Sequence, residues 1–216
     1  VNSITDKEGL KKLILYIAQK SKEYEMSLTT IRLVKLIYLI DENIFEAEGK
    51  KYTDLDWVYL HYGPYSVEIA NVIKEMENTL LNKNEWEDDD RKGVSYRPLE
   101  FIRIEKLPGS SEDHMYIDGV LKRWGDKGTD EILEYVYEDS PPMWGIKKGD
   151  KLKFENLIKL KEERILFKET YDKYLAVMKA EQKEWCEFKK KYKSIVIKHK
   201  KYNSPDYDLN LDYLED

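Results

Sequence analysis

The sequence predicts a mainly α chain of the α+β type: a compact helical domain with a small antiparallel β-sheet and a long C-terminal helical extension. Three observations carry this expectation. Apolar residues recur at helical spacing through most of the first 145 positions. A cluster of β-branched and aromatic residues interrupts them at Trp57–Tyr62, and no glycine or proline occurs between Gly149 and Pro205. The 216 residues suffice for one domain with an appendage, and 41% hydrophobic with 37% charged residues suits a water-facing globular chain. The expected boundaries are residues 1–150 for the domain, 151–203 for the extension and 204–216 for a flexible acidic tail.

Thr5 and Glu8 have capping-box spacing, and Leu10, Leu13, Ile14 and Ile17 follow as the stripe of a first helix running to about Glu23. A second start signal at Thr29 or Thr30 opens a stretch whose Ile31, Val34, Leu36, Ile37, Leu39 and Ile40 leave almost no polar face. Gly49 supplies a left-handed stop. A helix of that kind belongs at the centre of a core. Trp57 to Tyr62 then reads as a strand, cut short by Gly63-Pro64, with Pro64 near the start of a third helix carrying Ile69, Val72, Ile73 and Met76.

The acidic stretch Glu85–Asp90 reads as a solvated loop, because adjacent carboxylates repel; it lacks the alternating ligands and glycine of a calcium loop. Residues 94–107 alternate well enough for one or two strands, with Pro98 at an edge or bend. Two short helices follow, one through Ile117, Val120, Leu121 and Trp124, the other capped by Thr129 and ended by Pro141-Pro142. In the extension, Phe167, Tyr171, Tyr174, Met178, Glu181, Trp185, Phe188, Tyr192, Ile195, His199 and Tyr202 step by four and three. This is a heptad seam with one polar break at Glu181. Such a stripe must be covered by its own domain, by a second copy or by a different partner.

Composition narrows the function. One cysteine, Cys186, leaves no internal disulfide, and histidines at 61, 114 and 199 lack zinc-ligand spacing, so neither metal nor cofactor is expected. The longest apolar run, Leu36–Ile40, is far too short to cross a bilayer and no signal-peptide pattern opens the chain, so a cytoplasmic protein with no membrane partner is expected. No phosphate loop, dinucleotide fingerprint, nucleophile elbow or zinc-protease motif occurs. His61 is a conceivable general base, but in an aromatic strand beside a tight turn it reads as structural. The expectation is therefore not an enzyme. Net charge is −6, yet residues 183–201 hold eight lysines against two glutamates. Seventeen tyrosines suit a core and an interface alike, since each ring carries an apolar face and a polar tip.

Taken together, Lys35-Leu36-Ile37-Tyr38-Leu39, Gly49, the aromatic strand and Tyr62-Gly63-Pro64 resemble the Panacea (SocA-like) antitoxin domain. Asp139-Ser140-Pro141-Pro142-Met143-Trp144 is similar to the polar-proline-tryptophan element that the family places after a helix. The resemblance covers residues 8 to 146, and Tyr65 departs from it where valine or another small apolar residue is usual. It implies a non-enzymatic protein of a toxin–antitoxin or phage-defence module that neutralises a cognate protein toxin by direct contact. It also implies a protease or chaperone as further partner, the chain then serving as an adaptor.

The partner-binding candidates are Tyr59, His61, Tyr62, Gly63, Pro64 and Tyr65 around the turn, and Trp185, Phe188, Tyr192 and Ile195 on the seam, which also offers a homodimer contact. The alternative function is a nucleic-acid-binding regulator that sets Lys189, Lys190, Lys191, Lys193, Lys198, Lys200 and Lys201 on phosphates, with Tyr192 and Tyr202 interleaved. The acidic tail and the lack of a clear recognition helix weigh against it.

Overall fold

The computed structural model describes residues 4, 6–88 and 91–200, except the side chains of 88, 91 and 194–200. Thr5, Asp89, Asp90, Lys201, Tyr202 and the acidic tail, and the side chains of Ile195, Lys198, His199 and Lys200, fall outside the described residues. The chain forms two compact units, Val1–Lys161 and Glu162–Asp216.

The first unit is built around one helix. α1 (Lys7–Glu23) starts on Asp6, whose Oδ1 accepts the Gly9 amide at 2.6 Å; the cap expected of Thr5 is thus supplied by Asp6. β1 (Leu28–Thr29) leads into α2 (Thr30–Glu48), which Thr29 caps through the Arg32 amide and Gly49 closes at φ +74°. As the apolar run demands, α2 is the axis of the core, with Leu33, Leu36, Ile37, Tyr38 and Ile40 all fully buried. The Tyr38 ring meets the edges of Trp57 at 5.5 Å and Phe154 at 6.0 Å, so the strand region and the start of the last helix share its core.

β2 (Val58–Leu60) and β3 (Gly63–Tyr65) form an antiparallel hairpin, pairing Val58 with Tyr65, Tyr59 with Pro64 and Leu60 with Gly63. This corrects the expectation that Gly63-Pro64 ends the strand and starts a helix. A two-residue turn at His61-Tyr62 reverses the chain, Gly63 takes φ +83°, and Pro64 completes a strand before α3 (Val67–Met76) begins. The other edge of β2 is paired too, since the Tyr59 amide donates to Asp150 and the Gly149 amide to Tyr59.

β4 (Leu81–Asp88) and β5 (Arg91–Pro98) pair antiparallel over eight positions, and β5 also pairs with β1, giving the order β1-β5-β4. The acidic stretch is therefore mostly strand. Glu87 faces Lys92 across the ladder and bonds it at 2.6 Å, while Glu85 bonds Lys83 at 2.9 Å. These opposite charges offset the repulsion that argued for a loop. Beyond Pro98 no second strand forms; a 3-10 turn occupies Ile104–Lys106.

α4 (Ser111–Trp124) starts on a Ser110–Asp113 capping box. α5 (Thr129–Glu138) has Gly128 at its cap position, one residue before the expected Thr129, and a 3-10 turn at Pro141–Met143 follows it. The last helix, α6 (Glu155–Lys200), runs 46 residues from the first unit into the second.

Candidate partner-binding site

The hairpin turn and α2 enclose a pocket of about 380 Å³, lined by Thr30, Ile31, Val34 and Lys35 on one side and by Leu60–Gly63 and Tyr65 on the other. Helical periodicity places Ile31, Val34 and Lys35 on one face of α2, and the hairpin closes over it. Of the candidates here, His61 and Tyr62 are exposed, Tyr59 and Tyr65 half-buried, and Gly63 and Pro64 buried. The buried glycine and proline lie three or more residues before α3, so they present no helix start to a partner. The Lys148 Nζ donates to His61 Nδ1 at 2.7 Å and the Tyr137 hydroxyl to the His61 carbonyl at 3.1 Å. His61 is tied into the scaffold by both its ring and its backbone.

Four charged residues of α2 are buried, and the apolar pattern concealed them: Arg32, Lys35, Asp41 and Glu42. Arg32 donates to the carbonyls of Trp124 at 3.3 Å, Gly125 at 2.7 Å and Lys127, closing the C-terminal end of α4 with a positive charge where the helix dipole favours one. Asp41 accepts from the Thr53 amide at 2.7 Å, the Thr53 hydroxyl at 2.5 Å and Trp57 Nε1 at 2.7 Å. Burial still pushes its carboxyl up to about 6. Glu42 Oε1 accepts from Tyr135 at 3.2 Å and from Ser140 Oγ at 3.1 Å, leaving Tyr38 to donate to Ser140 at 2.5 Å. Glu42 Oε2 has no partner, and burial raises this carboxyl to about 7. Ser140 of the polar-proline element thus ties α2 to the turn that follows α5.

Lys35 differs from the other three. Its Nζ donates to the Pro64 carbonyl at 2.6 Å, no carboxylate among the described residues lies within ion-pair reach, and desolvation lowers the amine to about 7. No charge spacing in the sequence separates these four from the exposed Glu46 and Glu48, since none of the six has an opposite charge three or four residues away on α2.

On α6 the seam side chains Phe167, Tyr171, Tyr174, Met178, Trp185, Phe188 and Tyr192 are all exposed, at 41–71% of their surface. Their rings stack along the helix, Trp185 on Phe188 at 5.5 Å and Phe188 on Tyr192 at 6.1 Å. Lys189 lies over the Trp185 ring at 5.8 Å, Lys190, Lys191 and Lys193 are exposed, and Cys186 is a free exposed thiol. The turn candidates and the seam candidates sit on separate units of the chain. Among the described residues no cluster of histidine, cysteine and carboxylates is placed to hold a metal, and no helix is long and apolar enough to cross a membrane.

A family model described as the antitoxin SocA-like, Panacea domain matches residues 33–144, and the chain belongs to that family. The match runs from α2 through the hairpin to the Trp144 element and includes buried Lys35, Asp41, Glu42 and Ser140, while buried Ser21 and Arg32 precede it. Membership supports a toxin–antitoxin-related role and, in general terms, a toxin as partner. No curated protein and no solved structure matches the chain.

Proposed function

We infer that the protein neutralises a cognate toxin by direct protein–protein contact, without catalysis, and that the aromatic face of α6 carries the contact. The observation behind this reading is the run of exposed Phe167, Tyr171, Tyr174, Met178, Trp185, Phe188 and Tyr192 along one helix. Aromatic side chains of this size dominate interface energies, and a stripe left in water is costly for a chain that has no use for it. The flanking Lys189, Lys190, Lys191 and Lys193 favour an acidic surface on the toxin. The domain of residues 1–150 is the common scaffold in this reading, and the extension of residues 151–203 selects the partner.

Coexpression tests it. The neighbouring gene is expressed alone, with the wild-type chain and with the W185A/F188A/Y192A variant. Growth is arrested by the gene alone, restored by the wild-type chain and lost again with the variant, whose far-UV circular dichroism is unchanged. A variant that still neutralises moves the contact to the hairpin from Tyr59 to Tyr65. Toxin half-life separates occlusion from delivery to a protease, and phage plating efficiency tests the defence role. A shift to dimer mass in light scattering that the variant abolishes assigns the seam to a second copy. Retardation of the operon's upstream DNA, lost on replacing Lys190 and Lys193, assigns the helix to nucleic acid.

A further inference from the structure

The pocket between α2 and the hairpin is built of residues that the α6 reading does not use. Its walls are apolar, from Ile31, Val34, Leu60 and the rings of Tyr62 and Tyr65. The charged group of its lining is the ammonium of Lys35, and no described lining residue is acidic although the chain carries 43 acids against 37 bases. An ammonium has three protons to donate; that of Lys35 gives one to the Pro64 carbonyl and has no carboxylate to meet the others. Burying a cation without a counter-charge costs several kcal/mol by general experience, and a methionine would fill the same volume without that cost. Lys35 forms part of the pocket floor, where only 2% of its surface is exposed. Gly63 beside it has no side chain, and a Cβ at that position would stand 3.6 Å from Lys35 Nζ and 3.2 Å from Val136. At the mouth, Lys148 bonded to His61 adds a second positive charge.

We propose that this pocket binds the free C-terminal carboxylate of a polypeptide whose last residue is apolar, the carboxylate pairing with Lys35 and the side chain lying against Ile31, Val34 and Leu60. The combination of one cation with apolar walls selects this chemistry. A leucine or phenylalanine at a chain end carries both groups on one Cα, whereas an aspartate or glutamate side chain brings the charge with little apolar body. A phosphate group would leave the apolar walls unfilled and would itself be desolvated against them.

Ligand-observed NMR on the full chain tests this with N-acetyl-leucine, N-acetyl-leucinamide and octanoate as probes. N-acetyl-leucine is expected to bind about tenfold or more tightly than the amide, the difference that one charge-assisted hydrogen bond supplies. Lys35→Met is expected to erase that difference. The acid-against-amide comparison on the wild-type chain stands even where the variant is poorly folded. Equal binding of acid and amide, or binding of neither, overturns the proposal. Octanoate binding more tightly than N-acetyl-leucine overturns it in favour of a free fatty acid. A Lys35→Met chain that keeps the tenfold preference shows that Lys35 is a scaffold residue, and also overturns it. Because no probe touches α6 and no toxin is used, failure here leaves the neutralisation reading intact, and the reverse.

Discussion

Of the nineteen residues of α2, twelve are buried and four of those are charged, whereas α6 keeps its largest side chains in water along a stripe that is longer still. The periodicity of the two helices is equally clear, so periodicity does not decide the outcome. What decides it is whether the fold supplies a complementary apolar surface. The hairpin, α4 and α5 are amphipathic elements that give their apolar sides to α2. The described part of the second unit is a single helix, and one helix cannot bury its own stripe. The same difference sorts the charges. The four buried ones on α2 are held by hydrogen bonds to fixed partners, and the described ones along the α6 seam lie at the surface, where an ion pair contributes little.

The largest expected effect lies on α2. Arg32→Met removes the donors to the Trp124, Gly125 and Lys127 carbonyls and should cost about 3–5 kcal/mol in urea denaturation. A loss under 1 kcal/mol would mean that the end of α4 finds other donors. Gly63→Val should follow, at roughly 2–3 kcal/mol, because φ +83° disfavours any side chain and the new Cβ meets Val136 at 3.2 Å. Wild-type stability retained in that variant would show the hairpin to be soft.

The third effect is a pH profile. Asp41 and Glu42 keep their protons in the native state to about pH 6 and 7, but in the unfolded chain they release them near 3.8 and 4.5. Their favourable share is present below those unfolded values and is lost as pH rises towards 7. Lys35 acts in the opposite sense. The unfolded amine holds its proton to about 10.5 and the native one releases it near 7, so stability climbs from pH 7 towards 10.5. Denaturation midpoints at pH 5, 7 and 9 should therefore be lowest at 7, by on the order of 1–3 kcal/mol. Glu42→Gln should flatten the acid limb and Lys35→Met the alkaline limb. A profile that peaks at pH 7 would contradict the buried, unpaired state of these groups.

The smallest effect on stability is expected on α6. Phe188→Ala should change the denaturation free energy by within about 0.5 kcal/mol, since the ring is 55% exposed. A loss of 2 kcal/mol or more would show that the seam is covered in solution, and size-exclusion chromatography across a concentration series would then tell whether a second copy covers it.

Much of the fold was legible because it rests on local chemistry. Thr29 caps α2 and Gly49 ends it as their side chains require, and the run from Leu33 to Ile40 had no solution other than burial. Two local readings failed for the same reason, that a strand is defined by its neighbour. Gly63-Pro64 looked like a helix entry until pairing with Leu60 and Tyr59 made it a strand, and the acidic stretch Glu85–Asp90 looked like a loop until pairing of Glu85–Asp88 with β5 set Lys92 opposite Glu87. The candidate site was half legible. Tyr62, His61 and the α6 aromatics stood out in the sequence, but Lys35 stood there only as part of the motif Lys35-Leu36-Ile37-Tyr38-Leu39, with no role of its own.

By itself the sequence determined the helical class, the central helix with its stops, the position of the hairpin's aromatic residues and the seam of the extension, because spacing, capping and propensity act within a few residues. Only the tertiary structure decided that Lys35 lies beside Pro64 with no described acid to meet it, that Ser140 reaches Tyr38 and Glu42 from 102 and 98 residues along the chain, and that the described side chains of the α6 seam stay exposed. Those outcomes depend on which distant groups are brought within hydrogen-bonding distance and on how much apolar surface is left to cover. Neither quantity exists until the chain has folded.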